Sequence, residues 1–198
     1  NKNVLDPRPE TELLVELAIK EFLELRERKV SLLELGVGSG CVIISILLST
    51  KDNKLSALGV DISDKALNVA YKNIKKFKLE KRLKLKESDW FSNVHEKFDI
   101  IVSNPPYVRT SEIKNLDKEV KLYDPLIALN GGLKGLGCFE KIAREAKFHL
   151  KENGIILLEI GFGQIDSVKK IFEKMGYKNF LKEKDLQGII RVVGFKLK

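Results

Sequence analysis

The sequence predicts an α/β fold: an open, mostly parallel sheet with helices on both faces and an antiparallel last strand. Three observations predict it. Short apolar runs alternate with segments of helical period. A glycine-rich turn joins the first strand to the helix behind it. The chain then ends in two strand patterns around one tight turn rather than in another helix.

The elements follow in order. PETELLVELAIKEFLELRER, residues 9–28, sets Leu13, Leu14, Leu17, Phe22 and Leu25 near helical spacing. Pro9 and the acids beside it suit a first turn, where a missing N–H costs nothing and negative charge meets the helix dipole. VSLLELG, Val30 to Gly36, is a short buried strand, and CVIISILLS after Gly40 is helical. LSALGVDIS is the second strand. Ser63 caps a third helix, with Leu67, Ala70, Ile74 and Phe77 on its apolar face. RLKLKES alternates, as a strand near an edge does, whereas FDIIVSN reads as a buried strand. A loop rich in Gly, Pro and Asn is expected from about Pro105 to Gly137. FEKIAREAKFHL is a helix, GIILLEIG a strand, and QIDSVKKIFEKMG a helix closed by Gly176. The remainder folds back at Gln187-Gly188. Five strands thus alternate with helices and a terminal antiparallel pair completes seven.

Composition narrows the function. The 198 residues are 43% hydrophobic and 32% charged, an ordinary globular balance that suits one domain spanning 1–198. Two cysteines, Cys41 and Cys138, make neither a disulfide framework nor a metal cluster. No run approaches the roughly 20 apolar residues of a membrane span, and no secretory signal opens the chain, so a cytoplasmic protein is expected. The net charge of +8 would suit an acidic partner such as RNA or DNA. The lysines, however, are scattered over helices and strands, as on a solvated surface.

Three stretches carry chemistry. In LELGVGSGC, glycines at 36, 38 and 40 follow a strand and open a helix, a place where ligands approach bare backbone. The spacing is GxGxG, and no phosphate-cradling GxxxxGK[ST] is present. Asp61 ends the next strand, where a carboxylate can accept both hydroxyls of a ribose; its plainer reading is a cap ahead of SDKA. A nucleoside with an amino-acid tail and no phosphates fits, which means S-adenosylmethionine. Glu34 would face the tail's ammonium, and Asp89 would accept from the adenine amino group with Trp90 nearby. The second stretch, Asn104-Pro105-Pro106-Tyr107, ends a strand where open α/β sheets bind ligands. The Asn104 amide oxygen and the rigidly held Pro105 carbonyl can grip the two hydrogens of an –NH₂ group, and Tyr107 can stack on its plane. The third, DPRPETE, holds Arg8 between two prolines in extended backbone and starts a helix.

Together these stretches resemble the glutamine-N5 methyltransferases of peptide-chain release factors, the HemK/PrmC type. PRPETE, LELGVGSGCV, GVDIS, SDWF, SNPPYV, YDPLIALNGGLKGL, LLEIGFGQ and DLQGIIRVV occur in the family's order over nearly the whole chain. The resemblance implies a Rossmann-like class I S-adenosylmethionine-dependent methyltransferase with a seven-stranded sheet. It implies S-adenosylmethionine as methyl donor and the glutamine of a Gly-Gly-Gln motif as acceptor. Gly36, Val37, Gly38, Ser39 and Gly40 would line the methionine portion, with Glu34 beside them. Asp61 and Ile62 would hold the ribose end, Asp89 and Trp90 the adenine. Arg8 and Thr11 would close over the cofactor. Asn104 would touch cofactor and substrate, and Asn104, Pro105, Pro106 and Tyr107 would form the glutamine pocket, with Asn104, Pro105 and Tyr107 catalytic. No metal is implied. Val37 stands where Thr is more usual in the family, and Asp124 where Glu is, with no role assigned. The family's usual N-terminal helical domain is not matched by these 198 residues, which leaves two expectations: a fragment of a longer protein, or docking by the catalytic domain alone. The partners expected are release factors, acted on by a monomer and away from membranes. The rival reading is an adenine-N6 methyltransferase of RNA or DNA, whose target offers the same –NH₂; a binding module without turnover would not need the intact Asn-Pro-Pro-Tyr.

Overall fold

A computed structural model describes residues 3–50 and 54–198. A 3-10 turn, Pro9–Thr11, leads into helix α1 (Glu12–Leu25). Then follow β1 (Val30–Leu35), α2 (Cys41–Ser49), β2 (Leu55–Asp61), α3 (Asp64–Lys76), β3 (Leu83–Glu87) and β4 (Phe98–Ser103). After a long connection that holds the short helices α4 (Lys118–Tyr123) and α5 (Leu126–Leu129) come α6 (Gly137–Glu145), β5 (Leu150–Glu159), α7 (Ile165–Lys174), β6 (Tyr177–Lys184) and β7 (Ile190–Leu197). The sheet order is β3-β2-β1-β4-β5-β7-β6. Strands β1 to β5 pair in parallel, and β7 runs antiparallel to both of its neighbours. The predicted fold class and edge position of the third strand are therefore correct.

The direction of strand addition reverses between β1 and β4, and this creates the site. Chains leaving the carboxyl ends of these two neighbours diverge, so a crevice opens between them. The register pairs Leu35 with Ser103. It thereby sets the glycine turn beside the Asn-Pro-Pro-Tyr turn. On the other flank Asp61 pairs with Glu87, so the turn around Trp90 comes next to Asp61. Strands β1 and β4, which frame the crevice, are buried on both faces. One core packs Leu14, Phe22, Leu32 and Ile43 between the sheet and helices α1 to α3. The other packs Leu33, Leu35, Phe139, Phe172 and Phe195 under α6 and α7. Successive residues of β1 alternate between the two, as strand geometry requires.

Three expectations need correction. The connection 105–137 is not a plain loop: it holds a 3-10 turn (Ile113–Asn115) and two short helices, α4 (Lys118–Tyr123) and α5 (Leu126–Leu129). Helices of six and four residues are too short to show a period. Strand β5 begins at Leu150, not Gly154, because Asn153 takes a left-handed φ of 60° and the ladder shifts register between Phe98 and Ile100. Phe77 lies beyond the last turn of α3 and is exposed, not part of its apolar face.

At the amino end of the sheet, buried Asp99 ties β4 to its surroundings. Its Oδ2 accepts from the Ser31 N–H (2.8 Å), the Ser31 hydroxyl (2.9 Å) and Lys151 Nζ (2.7 Å), and Arg28 Nη1 lies 2.7 Å from Oδ1. Burial alone would raise this carboxyl's pKa, but the donors outweigh it and hold it below the ordinary value. A depressed pKa adds stability that is full above the unfolded value of about 3.9 and is lost as pH falls through the folded value. Asp99→Asn should therefore unfold about 2 kcal/mol more easily at neutral pH. In urea titrations the gap from the unchanged protein should narrow below about pH 4.

Candidate active site

The glycine turn makes one wall. Gly36, Gly38 and Gly40 have φ of 70°, 53° and 79°, a region where a side chain is strained. No heavy atom outside the immediate chain neighbours lies within 4 Å of where a Cβ on Gly36 would sit, so a ligand can reach its backbone. Val37 sends its side chain into the core beneath Gly59, and Asn73 of α3 donates to the Ser39 carbonyl at 2.8 Å. The helix that follows has Gly40 at its N-cap, a residue with no side chain to cap it. Glu34, at the end of β1, caps it instead: its Oε2 accepts from the Ile43 N–H at 3.1 Å. Its Oε1 takes no hydrogen bond among the described residues. Burial pushes this carboxyl well up in pKa; the Ile43 N–H opposes that and Asp61 adds to it. A cationic ligand group beside it would restore the carboxylate.

Asp61 makes the next wall. Its Oδ2 accepts from the Gly38 N–H and its Oδ1 from the Ser63 N–H, both at 2.9 Å. Each oxygen keeps a second lone pair for a ligand. The adjoining turn bends sharply at Trp90, whose φ of 53° is unusual for a bulky residue. Ser88 holds that bend, donating to the Trp90 carbonyl at 2.8 Å and accepting from the Asn93 N–H at 3.0 Å. Trp90 packs partly on the core and partly lines the cavity. Asp89 is half-exposed, 3.7 Å from Lys141 Nζ, and Ile62 is half-exposed on the rim.

The third wall joins the amino-terminal arm to the Asn-Pro-Pro-Tyr turn. Arg8 is extended, at φ −101° and ψ 146°. Its guanidinium meets buried Asp124 at 2.6 Å, and Asp124 also accepts from the Asp6 N–H at 3.2 Å. The residue left without a role by the sequence thus fastens the arm to the α4–α5 segment. Thr11 receives a hydrogen bond from Asn104 Nδ2 at 3.2 Å and donates to Glu159 Oε2 at 2.7 Å. Tyr107 donates its hydroxyl to Glu159 Oε1 at 3.3 Å. Gln164 grips the turn from behind: Nε2 donates to the carbonyls of Tyr107 and Gly135, each at 3.1 Å, and Oε1 accepts from the Gly161 N–H.

These walls enclose a cavity of 330 Å³. That is within the range of small-molecule sites, about 300–1,000 Å³. Of the residues expected there, Arg8, Thr11, Glu34, Gly36, Val37, Gly38 and Ser39 line it. So do Asp61, Ile62, Asp89, Trp90, Asn104 and Pro106. Three do not: Gly40 faces Ile44 and Ala70, Pro105 is buried behind the turn, and Tyr107 sits to the side against Glu159. Cys41 and Cys138, which the sequence offers for neither a disulfide framework nor a metal cluster, also line the cavity. Burial pushes the Cys138 thiol up to about 11, so it is a neutral wall. The donor set fits a nucleoside carrying an amino-acid tail: unspent lone pairs on Asp61 for hydroxyls, Glu34 for an ammonium, and Trp90 with Ile62 for a flat base.

The comparisons agree with this chemistry. The family model described as the methyltransferase small domain matches residues 9–121, more than half of the chain. The release factor glutamine methyltransferase of Agrobacterium fabrum is 40% identical over 198 residues, covering 99% of this chain and 68% of that protein. The bifunctional methyltransferase of Rickettsia felis is 39% identical over 221 residues, covering 98% of this chain and 42% of that one. The chain thus spans about two thirds of the first relative and about two fifths of the second. Among solved structures, the ribosomal protein L11 methylase of Lactobacillus delbrueckii superposes with a TM-score of 0.70 at 19% identity, over 96% of this chain and 80% of that one, a likeness of fold.

Proposed function

The chain belongs to the release factor glutamine methyltransferase family, the HemK/PrmC type, and on that premise we propose that it methylates the side-chain amide nitrogen of the glutamine in a release factor's Gly-Gly-Gln motif. The observation that carries this reading is the place of Asn104. Asn104 lines the cavity; its Nδ2 is committed to Thr11, while its Oδ1 takes no hydrogen bond among the described residues. A carboxamide –NH₂ needs such an acceptor.

S-adenosylmethionine supplies, when bound, a methyl group made electrophilic by a sulfonium. The chain's own residues do the rest. Asp61, the glycine turn and Glu34 are read as holding the donor. The Asn104 oxygen and the Pro105 carbonyl are read as accepting the two amide hydrogens, which aims the nitrogen and raises its electron density. Tyr107, its ring edge against Gly161 and its hydroxyl on Glu159, is read as flanking the glutamine amide from beside the cavity. Such catalysis is by position and electrostatics: the N–C bond forms as the S–CH₃ bond breaks, S-adenosylhomocysteine leaves, and the methylated nitrogen gives up one proton to water. Residues 1–198 are taken to form a single catalytic domain that acts as a monomer in the cytoplasm, where release factors work. Among the described residues no helix is long and apolar enough to cross a membrane.

The test is to incubate the protein with S-adenosylmethionine and a bacterial release factor and map any methyl by peptide mass spectrometry. A methyl on the Gly-Gly-Gln glutamine is expected. Asn104→Ala should lower its rate by about 10²–10³-fold, the usual loss on removing one preorganised partner. Transfer to adenine in RNA or DNA instead, or to nothing, would overturn the reading.

A further inference from the structure

Glu159 was missed by the sequence reading, yet its carboxylate is buried and is tied to both ends of the Asn-Pro-Pro-Tyr turn, to one directly and to the other through Thr11. It accepts from Tyr107 directly at 3.3 Å, and it is joined to Asn104 through Thr11 at 2.7 and 3.2 Å. The direction of this chain of hydrogen bonds follows from elementary bookkeeping. An ionised carboxylate only accepts. Thr11 has one hydroxyl proton, and Glu159 takes it. Thr11 can then only accept from Asn104, so the Asn104 NH₂ must face Thr11. The Asn104 carbonyl is left to face the cavity.

Building on the proposed glutamine reading, we infer that Glu159 is a positioning residue for methyl transfer: it fixes the polarity of the Asn104–Thr11–Glu159 chain and so presents an acceptor, not a donor, to the substrate amide. With the amide turned over, Asn104 Oδ1 would face a hydroxyl with no proton to give. An NH₂ group would meet the substrate's own NH₂. The geometry suits the carboxylate form: each Glu159 oxygen is met by a hydroxyl that donates, Thr11 on Oε2 and Tyr107 on Oε1. Burial holds the carboxyl above its ordinary value and Glu10 adds to that, while the two hydroxyls and the charge of Arg191 offset the rise only in part. Arg191 has its own partner in Asp185 at 2.9 Å and does not depend on Glu159.

Two variants separate polarity from packing. Glu159→Met keeps the length and removes the acceptor, which frees the Thr11 proton to turn toward Asn104. Glu159→Gln keeps one acceptor and one donor, so polarity is no longer dictated. On the release factor substrate, kcat should fall about 100-fold in Glu159→Met, the usual scale of a misplaced reactant, and by less in Glu159→Gln. The dissociation constant for S-adenosylhomocysteine should stay within about twofold of the unchanged protein, since neither Asp61 nor the glycine turn is touched. A second readout needs no substrate: an NMR cross-peak between the Asn104 side-chain NH₂ and the Thr11 methyl is expected in the unchanged protein and should be lost in Glu159→Met. Unchanged kcat in Glu159→Met, or a persisting cross-peak, overturns the inference. If the unchanged protein methylates no glutamine, the substrate reading fails, while the cross-peak still decides the polarity of the chain.

Discussion

Asp61→Ala should weaken binding of S-adenosylhomocysteine by at least about 100-fold, measured by calorimetry, and should lower turnover at any fixed cofactor concentration in step. Two hydrogen bonds from ligand hydroxyls to a carboxylate are lost, each worth about 1.5–3 kcal/mol. The lower end of that sum, about 3 kcal/mol, already corresponds to a little more than a hundredfold in affinity, so a hundredfold is the least loss expected. The carboxylate also holds the site in shape, since its two oxygens accept from Gly38 and Ser63 at 2.9 Å each. For that reason Asp61→Asn is not a mild change. An asparagine must aim its NH₂ at one of two backbone N–H donors, so either Gly38 or Ser63 loses its acceptor. It should bind the cofactor about as weakly as the alanine variant. Undiminished affinity in both variants would remove Asp61 from the cofactor site.

What the sequence made legible was local. The glycine turn, Asp61 and the Asn-Pro-Pro-Tyr turn each follow a strand within a few residues, and the strand ends of a parallel sheet gather at one edge. Knowing the strands was enough to place them. Glu159, Gln164 and Asp124 were not legible, because their partners lie far away in sequence. Glu159 reaches back to Thr11 across 148 positions, and Asp124 to Arg8 across 116. Each also had a plausible ordinary role, Glu159 as a strand end, Gln164 as the residue before a helix and Asp124 as a turn before proline. One signal was available for Glu159: a lone carboxylate ending an apolar strand, the same kind of place as Asp61. Tyr107 shows the reverse case. Its motif was legible, but its hydroxyl's partner, and so its place beside the cavity rather than in its wall, came only from the fold.

Gly135→Ala should cost about 100-fold in methyl transfer while leaving S-adenosylhomocysteine binding within about twofold. Gly135 has a φ of +68°, and a Cβ there would run into the Tyr107 carbonyl oxygen and stand 2.9 Å from Gln164 Nε2. The Gln164 end could swing aside, but only by giving up hydrogen bonds to both Tyr107 and Gly135. The Tyr107 carbonyl is backbone and can yield only by moving the turn. The displaced turn carries Asn104 and Tyr107, whereas the glycine turn and Asp61 stand on β1 and β2 and keep their positions. Stability should fall as well, by about 1–2 kcal/mol for the left-handed backbone and about 1–3 kcal/mol for the overpacking. Gly188→Ala supplies the comparison. Its φ is +80°, but no atom beyond its immediate neighbours stands within 4 Å of the added carbon, and it lies in the β6–β7 turn away from the cavity. It should carry the backbone cost alone and leave methyl transfer unchanged. Equal activity in the two variants would mean that the glycine at 135 serves only its own turn. Loss confined to Gly135→Ala, with cofactor affinity intact, would mean that the connection after β4 shapes the substrate side of the site independently of the cofactor side.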